Sequence, residues 1–593
     1  MMNQVEQYAP EVFAFDTAHA PDVAYFSMEV AVNAQIPTYS GGLGILAGDA
    51  LRAAADLRLR MVGITLLYRK GYLQQHLDPN GYQTETDEQW NPADDLELLP
   101  AQVTVQVEGR EVKLRAWRTQ IEGVTGAVTS VIFLDADVEG NSDYDRSLTD
   151  HLYASDQRYR LAQEIILGLG GLAMLQALNW HGNLVYHMNE GHSALLALGL
   201  LHRHLEAQGQ QDADEAAIEW VREQCIFTTH TPVPAGHDVF AGDLVAQMLG
   251  QDEHALLERS GCCQQGRLNM TYLALRFSRY INGVALKHGE ISADMYPNYP
   301  IHSITNGVHA MTWTCQSFAD LYDQHSPIWR LDNRYLRYMV GLELEDIQKA
   351  HATAKRTLLE EVKKRTSFGL DEKVFTIGFA RRATAYKRAD LLFSDLDRLR
   401  RIAAEVGPVQ VLFGGKAHPS DQQGKEMIER VVDAAKQLSG QVPVIYLEEY
   451  EMDLATLFTA GVDLWLNTPL KPHEASGTSG MKCALNGVPS FSVLDGWWLE
   501  GHIEGVTGWA IGTDHPEDDG GEGEDLYRKL EQVIVPMFYQ QPLEYARIMR
   551  SCISINGSFF NTQRMVAQYE ISAYDPAHQV TERPYEREPV YMA

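Results

Sequence analysis

From Lys373 onward the chain alternates short apolar runs with helical texture or loops: KVFTIGFARR, VQVLFGG, VPVIYLEEY, DLWLNTP and PSFSVLD. Runs this apolar and this short bury both faces of a strand, the signature of a parallel sheet with helices on each side. The first part of the chain has a similar texture. VAYFSMEV (Val23 to Val30) reads as a buried strand, RLAQEIILGLGGLAMLQAL as a long helix, NLVYHMNE as a strand and GHSALLALGLLHRHL as a helix. Residues 60–135 differ: VTVQVEG and VTSVIFLD alternate apolar and polar positions, predicting antiparallel strands or a small meander. A chain of 593 residues is too long for one core and predicts two large α/β domains or three smaller ones. The charged helical pattern from Leu342 to about Thr366 would carry it toward a second domain.

Several strand ends carry residues suited to an anion. In HEASGTSGMKCALNGVPSFSVLD (His473 to Asp495), Glu474 precedes the small residues Ala475, Ser476, Gly477, Thr478, Ser479 and Gly480, and Lys482 falls on the expected first helical turn. Outward N–H groups and the helix dipole suit an anion there. Small side chains let a ring and a phosphate approach the backbone. YSGGLG before ILAGDALRAAADL makes a second such terminus, although Gly41, Gly42 and Gly44 in isolation are more often a tight turn. ARRATAYKR follows a predicted strand, where open α/β sheets place ligands. Its basic residues Arg382 and Lys387 would suit a dianion held at more than one oxygen, against the commoner fate of a solvated helix start.

These stretches resemble the α-glucan (glycogen, starch and maltodextrin) phosphorylases. EASGTSGMK followed by LNG and LDG is similar to the family's pyridoxal-phosphate site, in which the lysine forms a Schiff base with the cofactor. YSGGLGILAGD, MNEGHSALL, FTTHTPVPAGHD, ITNGVHAMTW, GFARRATAYKRADLL, LFGGKAHPSD and VIYLEEY occur in the family's order, from Tyr25 to about Gly512. The resemblance implies a glycosyltransferase-B-like fold, two Rossmann-like α/β domains facing across a cleft. Their expected extents are 1–368 for the glucan side, 369–548 for cofactor and phosphate, and 549–593 for a segment packing back on the first domain. The length resembles the short bacterial and archaeal branch, without the N-terminal extension that carries phosphorylation and nucleotide control, so such regulation is not expected.

The implied activity is reversible phosphorolysis of terminal α-1,4-linked glucose from glycogen or maltodextrin to α-glucose 1-phosphate, with retention, by a pyridoxal 5'-phosphate enzyme. No carboxylate pair of the kind glycosidases use stands out. Residue by residue, Lys482 would tether the cofactor, with Thr478, Ser479, Tyr450, Trp313 and Arg381 around it. Arg382 and Lys387 would hold the phosphates, and His230 and Glu474 would complete the catalytic set. Gly42, Gly44, Asn306, Tyr386, Ser476, Gly477, Glu190 and His192 would border the glucan. His237 and Asp238 would face the acceptor, and Lys416 is a further contact without an assigned role. Ala31 departs from the long enzymes, which carry a tyrosine near the cofactor at that position.

A formal charge of −31 disfavours nucleic acid and requires any phosphate site to be locally basic. No apolar run reaches membrane-span length and the N-terminus lacks a signal-peptide pattern, so a cytoplasmic protein is expected. His187, Glu190 and His192 lack metal-site spacing, and Cys225, Cys262, Cys263, Cys315, Cys483 and Cys552 lack CxxC; no metal and reduced thiols are expected. A homodimer is the family's usual form. Two rivals are a nucleotide-sugar-dependent glucan synthase, disfavoured by Lys482, and a silent glucan-binding protein, disfavoured by the retained basic pair. The acidic stretch from Asp514 to Lys529 and the tail after Ala573 read as a solvated loop and a loose or strapped end.

Overall fold

The strand Phe375–Ala380 is buried along its whole length, and so are Val409–Gly414, Leu464–Asn467, Ser490–Val493 and Gly508–Ile511. The reason is that both faces are covered: Phe375, Ile377 and Phe379 join one apolar cluster, while Ala380 and Leu412 join another. With Val444–Leu447 these form a six-stranded sheet, parallel throughout. Numbered along the chain its spatial order is 3-2-1-4-5-6, the doubly wound order whose ligand crevice lies where the order reverses, between the first and fourth strands. Gly508–Ile511 is a strand that the sequence reading did not include.

A computed structural model describes residues 22–154, 156–180, 182, 184–233, 236–512 and 521–575. The start of the acidic loop, the N-terminus and the end of the tail lie outside the described residues. The first sheet has nine strands in the order Ile301–Ser303, Tyr280–Gly283, Cys225–Thr228, Leu184–Asn189, Asp22–Ser27, Met61–Leu66, Val128–Asp135, Arg110–Glu122, Glu97–Val107. The predicted meander is only its edge. Val128–Asp135 pairs antiparallel with Arg110–Glu122 but parallel with Met61–Leu66, so the hairpin extends a parallel sheet. Alternation along Asp22–Ser27 sends Ala24 and Phe26 to one core and Val23 and Tyr25 to the other.

The expected long helix runs Gln157–Ile165, a π-turn Ile166–Gly170, and Gly171–Ala177. The charged helix is Leu344–Thr366, buried along Ile347, Ala354, Leu358 and Val362. Helix Gly42–Asp56 lies against the face of the first sheet that also receives Met565, Val566, Tyr569, Ala573 and Tyr574 from the end of the chain. The Tyr569 hydroxyl sits 3.0 Å from Thr228 Oγ1 and accepts from Asn282 Nδ2 at 2.9 Å; the Tyr574 hydroxyl is 2.9 Å from His187 Nδ1. His187 is therefore a core histidine, and burial pushes its pKa down to about 3. Arg564, also from this segment, donates to the carbonyls of Thr305 (2.6 Å) and Asn306 (2.9 Å). Gly307 is required beside them, because a Cβ there would lie 2.3 Å from the Asn561 backbone.

All six cysteines are free thiols, and among the described residues no helix is long and apolar enough to cross a membrane. Replacing Tyr569 by Phe should lower unfolding free energy by about 1–2 kcal/mol, the cost of leaving buried polar groups without a partner. Urea denaturation of the two proteins measures it.

Candidate active site

Residues at the crossover of the second sheet come from two neighbouring strands. Arg381–Lys387 leaves the C-terminal end of Phe375–Ala380, and the stretch from Thr468 to Ser479 leaves Leu464–Asn467. Gly415 (φ +137°) lets the Arg381 loop pass: a Cβ would lie 1.8 Å from the Arg381 carbonyl oxygen. The two loops are tied by Glu474, whose Oε2 lies 2.5 Å from Lys387 Nζ and 2.7 Å from an Arg381 nitrogen. Burial opposes the charge on Glu474, but Arg381 and Lys387 outweigh it and hold its pKa down to about 2. Asp495 accepts from the N–H of Glu474 and of Gly496, each at 2.9 Å, and burial raises its pKa to about 6. Arg382, in contrast, is exposed on the cavity wall. Arg381, Arg382 and Lys387 outnumber the carboxylates of Glu474 and Asp495, so this corner stays positive in an acidic chain, as a dianion requires.

Helix Ser479–Ala484 carries Lys482 into the same cavity. Its side chain is buried, with Nζ 3.6 Å from the centroid of the Trp313 ring. Burial lowers its pKa to about 8, so a usable fraction is the neutral, nucleophilic amine near neutral pH. The Trp313 indole donates to Asp49 Oδ2 at 2.7 Å, and Asn486 donates to the carbonyls of Trp313 and Lys482. Tyr450, Thr478 and Ser479 line the cavity nearby, and Tyr386 lies against Lys387, 4.4 Å from ring centroid to Nζ. Lys416 is engaged elsewhere: it reaches the Leu73 carbonyl, Glu449 and Glu451. Glu88, Glu449 and Glu451 lie close together, and this lysine supplies the positive charge beside them.

The opposite wall comes from the first sheet, again at the ends of two neighbouring strands, Asp22–Ser27 and Leu184–Asn189. Glu29 shapes the glycine turn, accepting from the N–H of Ser40 (2.6 Å) and Gly41 (3.1 Å) and from the Tyr153 hydroxyl (2.8 Å). Gly44 has no room for a side chain, since a Cβ would meet Tyr39 at 2.6 Å and Glu29 at 2.8 Å; Gly42 faces open space. Glu190 adopts φ +74° and spends its carboxylate on the N–H of Gly191 and His230 and on the Thr231 hydroxyl. It builds the wall. His230 contacts Asn189 Oδ1 at 2.6 Å, and burial lowers its pKa to about 4, leaving a neutral imidazole. His192 pairs with Asp238 at 3.3 Å, which is also bound by Arg160 at 3.0 Å. Ala31 is fully buried beneath this wall, its carbonyl 3.3 Å from Arg52.

Together these residues enclose a cavity of about 810 Å³. Ser476 Oγ, Asn306 Oδ1 and His192 Nδ1, all from lining residues, are buried without a partner. Such atoms suit the hydroxyls of a polar ligand or of ordered water. A buried amine over an indole, beside a basic corner, likewise fits an aldehyde-bearing aromatic phosphate, the chemical form of pyridoxal 5'-phosphate.

Residues 245–504 match the family model described as carbohydrate phosphorylase. The chain is 36% identical to a maltodextrin phosphorylase of Thermococcus litoralis, covering 94% of this chain and 70% of that protein. It is 31% identical to a glycogen phosphorylase of Aquifex aeolicus, covering 94% and 86%, and 34% identical to one of Mycobacterium tuberculosis, covering 94% and 71%. The chain belongs to the carbohydrate phosphorylase family.

In this carbohydrate phosphorylase the residues singled out from the sequence meet unevenly. Most line this cavity, Asp238 and Lys416 included, whereas Trp313, Gly44 and His237 lie off its lining, His237 with its ring 2.7 Å from Thr271 Oγ1. Glu29, Asp49, Arg160 and Asp495 were missed as supports. Asp49 and Asp495 lie within the motifs quoted, in LAGD and LDG, and a carboxylate adjoining a glycine was their available signal; Glu29, near the end of the quoted VAYFSMEV, is twelve residues from Gly41 and had none.

The Glu474 ion pairs give a pH test. A depressed carboxyl pKa contributes stability above its unfolded value near 4 and loses it as pH falls through about 2. The stability difference between the native protein and Glu474→Gln should therefore be about 3–5 kcal/mol above pH 5 and shrink toward zero near pH 2. Urea unfolding across that range measures it.

Proposed function

We propose that this protein is an α-1,4-glucan phosphorylase that uses pyridoxal 5'-phosphate, removing terminal glucose from glycogen or maltodextrin with inorganic phosphate and releasing α-glucose 1-phosphate with retention. The observation that carries the proposal is Lys482: a buried amine with a lowered pKa, packed on an indole, in a cavity that also holds Arg381, Arg382 and Lys387. Family membership and the names of the relatives support it. A nucleotide-sugar synthase has no use for that amine.

Lys482 would anchor the cofactor, with Trp313, Tyr450, Thr478, Ser479 and Arg381 around it. When bound, the cofactor supplies a phosphate that exchanges a proton with the substrate phosphate. The chain's own residues do the rest. Arg382 and Lys387 hold the attacking phosphate, and Glu474 with the Ser476 and Gly477 backbone grips glucosyl hydroxyls. Asn306, Tyr386 and the His230 backbone fix the ring, and the glycine turn at Gly42 and Gly44 closes over it. Glu190 acts by shaping the His230 loop, and His192 borders the glucan. Charge on the departing glycosyl group is stabilised by preset dipoles and ions in a site that excludes water.

The architecture that goes with this reading is two α/β domains, 1–368 and 369–548, facing across a cleft in the glycosyltransferase-B manner, with 549–593 returning to the first. A cavity lined from both sheets and the packing of Tyr569 on Thr228 support it. A cytoplasmic homodimer without a metal, binding neither membrane nor nucleic acid, completes the proposal.

Incubation with maltodextrin should release glucose 1-phosphate only when phosphate is added, and the protein should show cofactor absorbance. Lys482→Ala should lose both, with release down by at least about 100-fold, while Arg382→Ala should keep the absorbance and raise the KM for phosphate about tenfold. Absence of phosphate-dependent release from the native protein would overturn the reading.

A further inference from the structure

The ε-amine of Lys482 lies over the Trp313 ring, and the N–H edge of that ring is held by an anion. Asp49 Oδ2 accepts from the indole N–H at 2.7 Å and from the backbone N–H of His309 at 3.0 Å. All three side chains are buried, Asp49 at 1% exposure and Trp313 at 0%. Charge interactions are weakly screened in such a place. Asp49 stands on helix Gly42–Asp56, far from Lys482 in sequence.

We propose that Asp49 is the counter-ion of the lysine anchor, a positioning residue that acts through the Trp313 indole to stabilise positive charge on the Lys482 nitrogen. This rests on the reading of Lys482 as the cofactor anchor. An indole that donates its N–H to a carboxylate becomes more electron-rich, and its face attracts a cation more strongly. The carboxylate adds a direct attraction one ring away, and it opposes the burial that lowers the Lys482 pKa.

The other charged groups near this pair are accounted for. Arg52 lies 3.4 Å from Asp49 Oδ1 and reaches the carbonyls of Ala31 and Val32, so it neutralises Asp49 only in part. The His309 ring is turned to Asp56 at 3.0 Å. Cys483 adjoins Lys482, and burial keeps its thiol protonated. Arg381, Lys387 and Glu474 share the cavity but pair with one another.

The test is a pH titration of the cofactor absorbance in the holoenzyme, reading the midpoint at which the Lys482 nitrogen loses its proton. Asp49→Asn preserves the shape and an indole acceptor but removes the charge; its midpoint should fall by about one unit, tenfold in proton affinity. Arg52→Gln frees Asp49 of its competing cation, and its midpoint should rise. Opposite shifts do not follow from a merely loosened site. If Asp49→Asn releases the cofactor, the midpoint of the free Lys482 amine is compared instead between native and variant full-length proteins stripped of cofactor, from the pH dependence of reductive trapping of pyridoxal by cyanoborohydride at Lys482, followed by mass. If Asp49→Asn does not fold, Arg52→Gln decides alone. Unchanged midpoints, or shifts of the same sign, would overturn the inference. Native protein that binds no cofactor would instead overturn the anchor reading itself.

Discussion

The contact on which the rest depends is the bifurcated ion pair of Glu474 with Arg381 and Lys387. Its partners leave two neighbouring strands of a parallel sheet on either side of the point where strand order reverses. Loops diverge at such a point and open a crevice. Without a tie the crevice would collect mobile cations in an acidic protein. Glu474 fixes their positions, and because Arg381, Arg382 and Lys387 outnumber it and Asp495, the corner remains positive. Removing the carboxylate alone would leave buried cations uncompensated, whereas replacing the whole cluster by apolar side chains would cost much less. The value of the ion pair here is placement.

The opposite wall is built by the same device with different chemistry. Glu29 and Glu190 are carboxylates at the ends of neighbouring strands of the first sheet, and both spend their oxygens on backbone N–H groups. They shape the glycine turn and the His230 loop, leaving backbone groups and partnerless atoms such as Asn306 Oδ1 on the lining residues. The end of the chain takes part. Arg564 caps the carbonyls beside Asn306, and burial lowers its own pKa to about 10, so a cation withdrawn from water is held by neutral acceptors.

In the proposed reading Lys482 has a different task from Arg381 and Lys387. Arg381 and Lys387 share a carboxylate in direct contact. Burial lowers the Lys482 pKa to about 8, and the group in direct contact with its amine is an aromatic face, not a carboxylate. Two kinds of cation thus coexist in one cavity because their nearest neighbours differ.

The sequence by itself determined the strand and helix texture, the parallel sheet after Lys373 and the motifs that line the site, because short apolar runs and glycine or basic clusters at their ends carry local signals. Lys482, Glu474 and the Arg381 to Lys387 run were legible in that way. The hairpin added to the edge of the first sheet, the strand Gly508–Ile511 and the stitching of Tyr569, Tyr574 and Arg564 onto that sheet were not, since pairing and packing partners hundreds of residues apart leave no local pattern. The same holds for the division of labour at the site. That Arg381 is buried and paired while Arg382 is exposed, that Glu190 serves the backbone, and that Asp49 stands behind Trp313 were decided only by tertiary structure, because burial and charge pairing are properties of what surrounds a residue in space and not of its place along the chain.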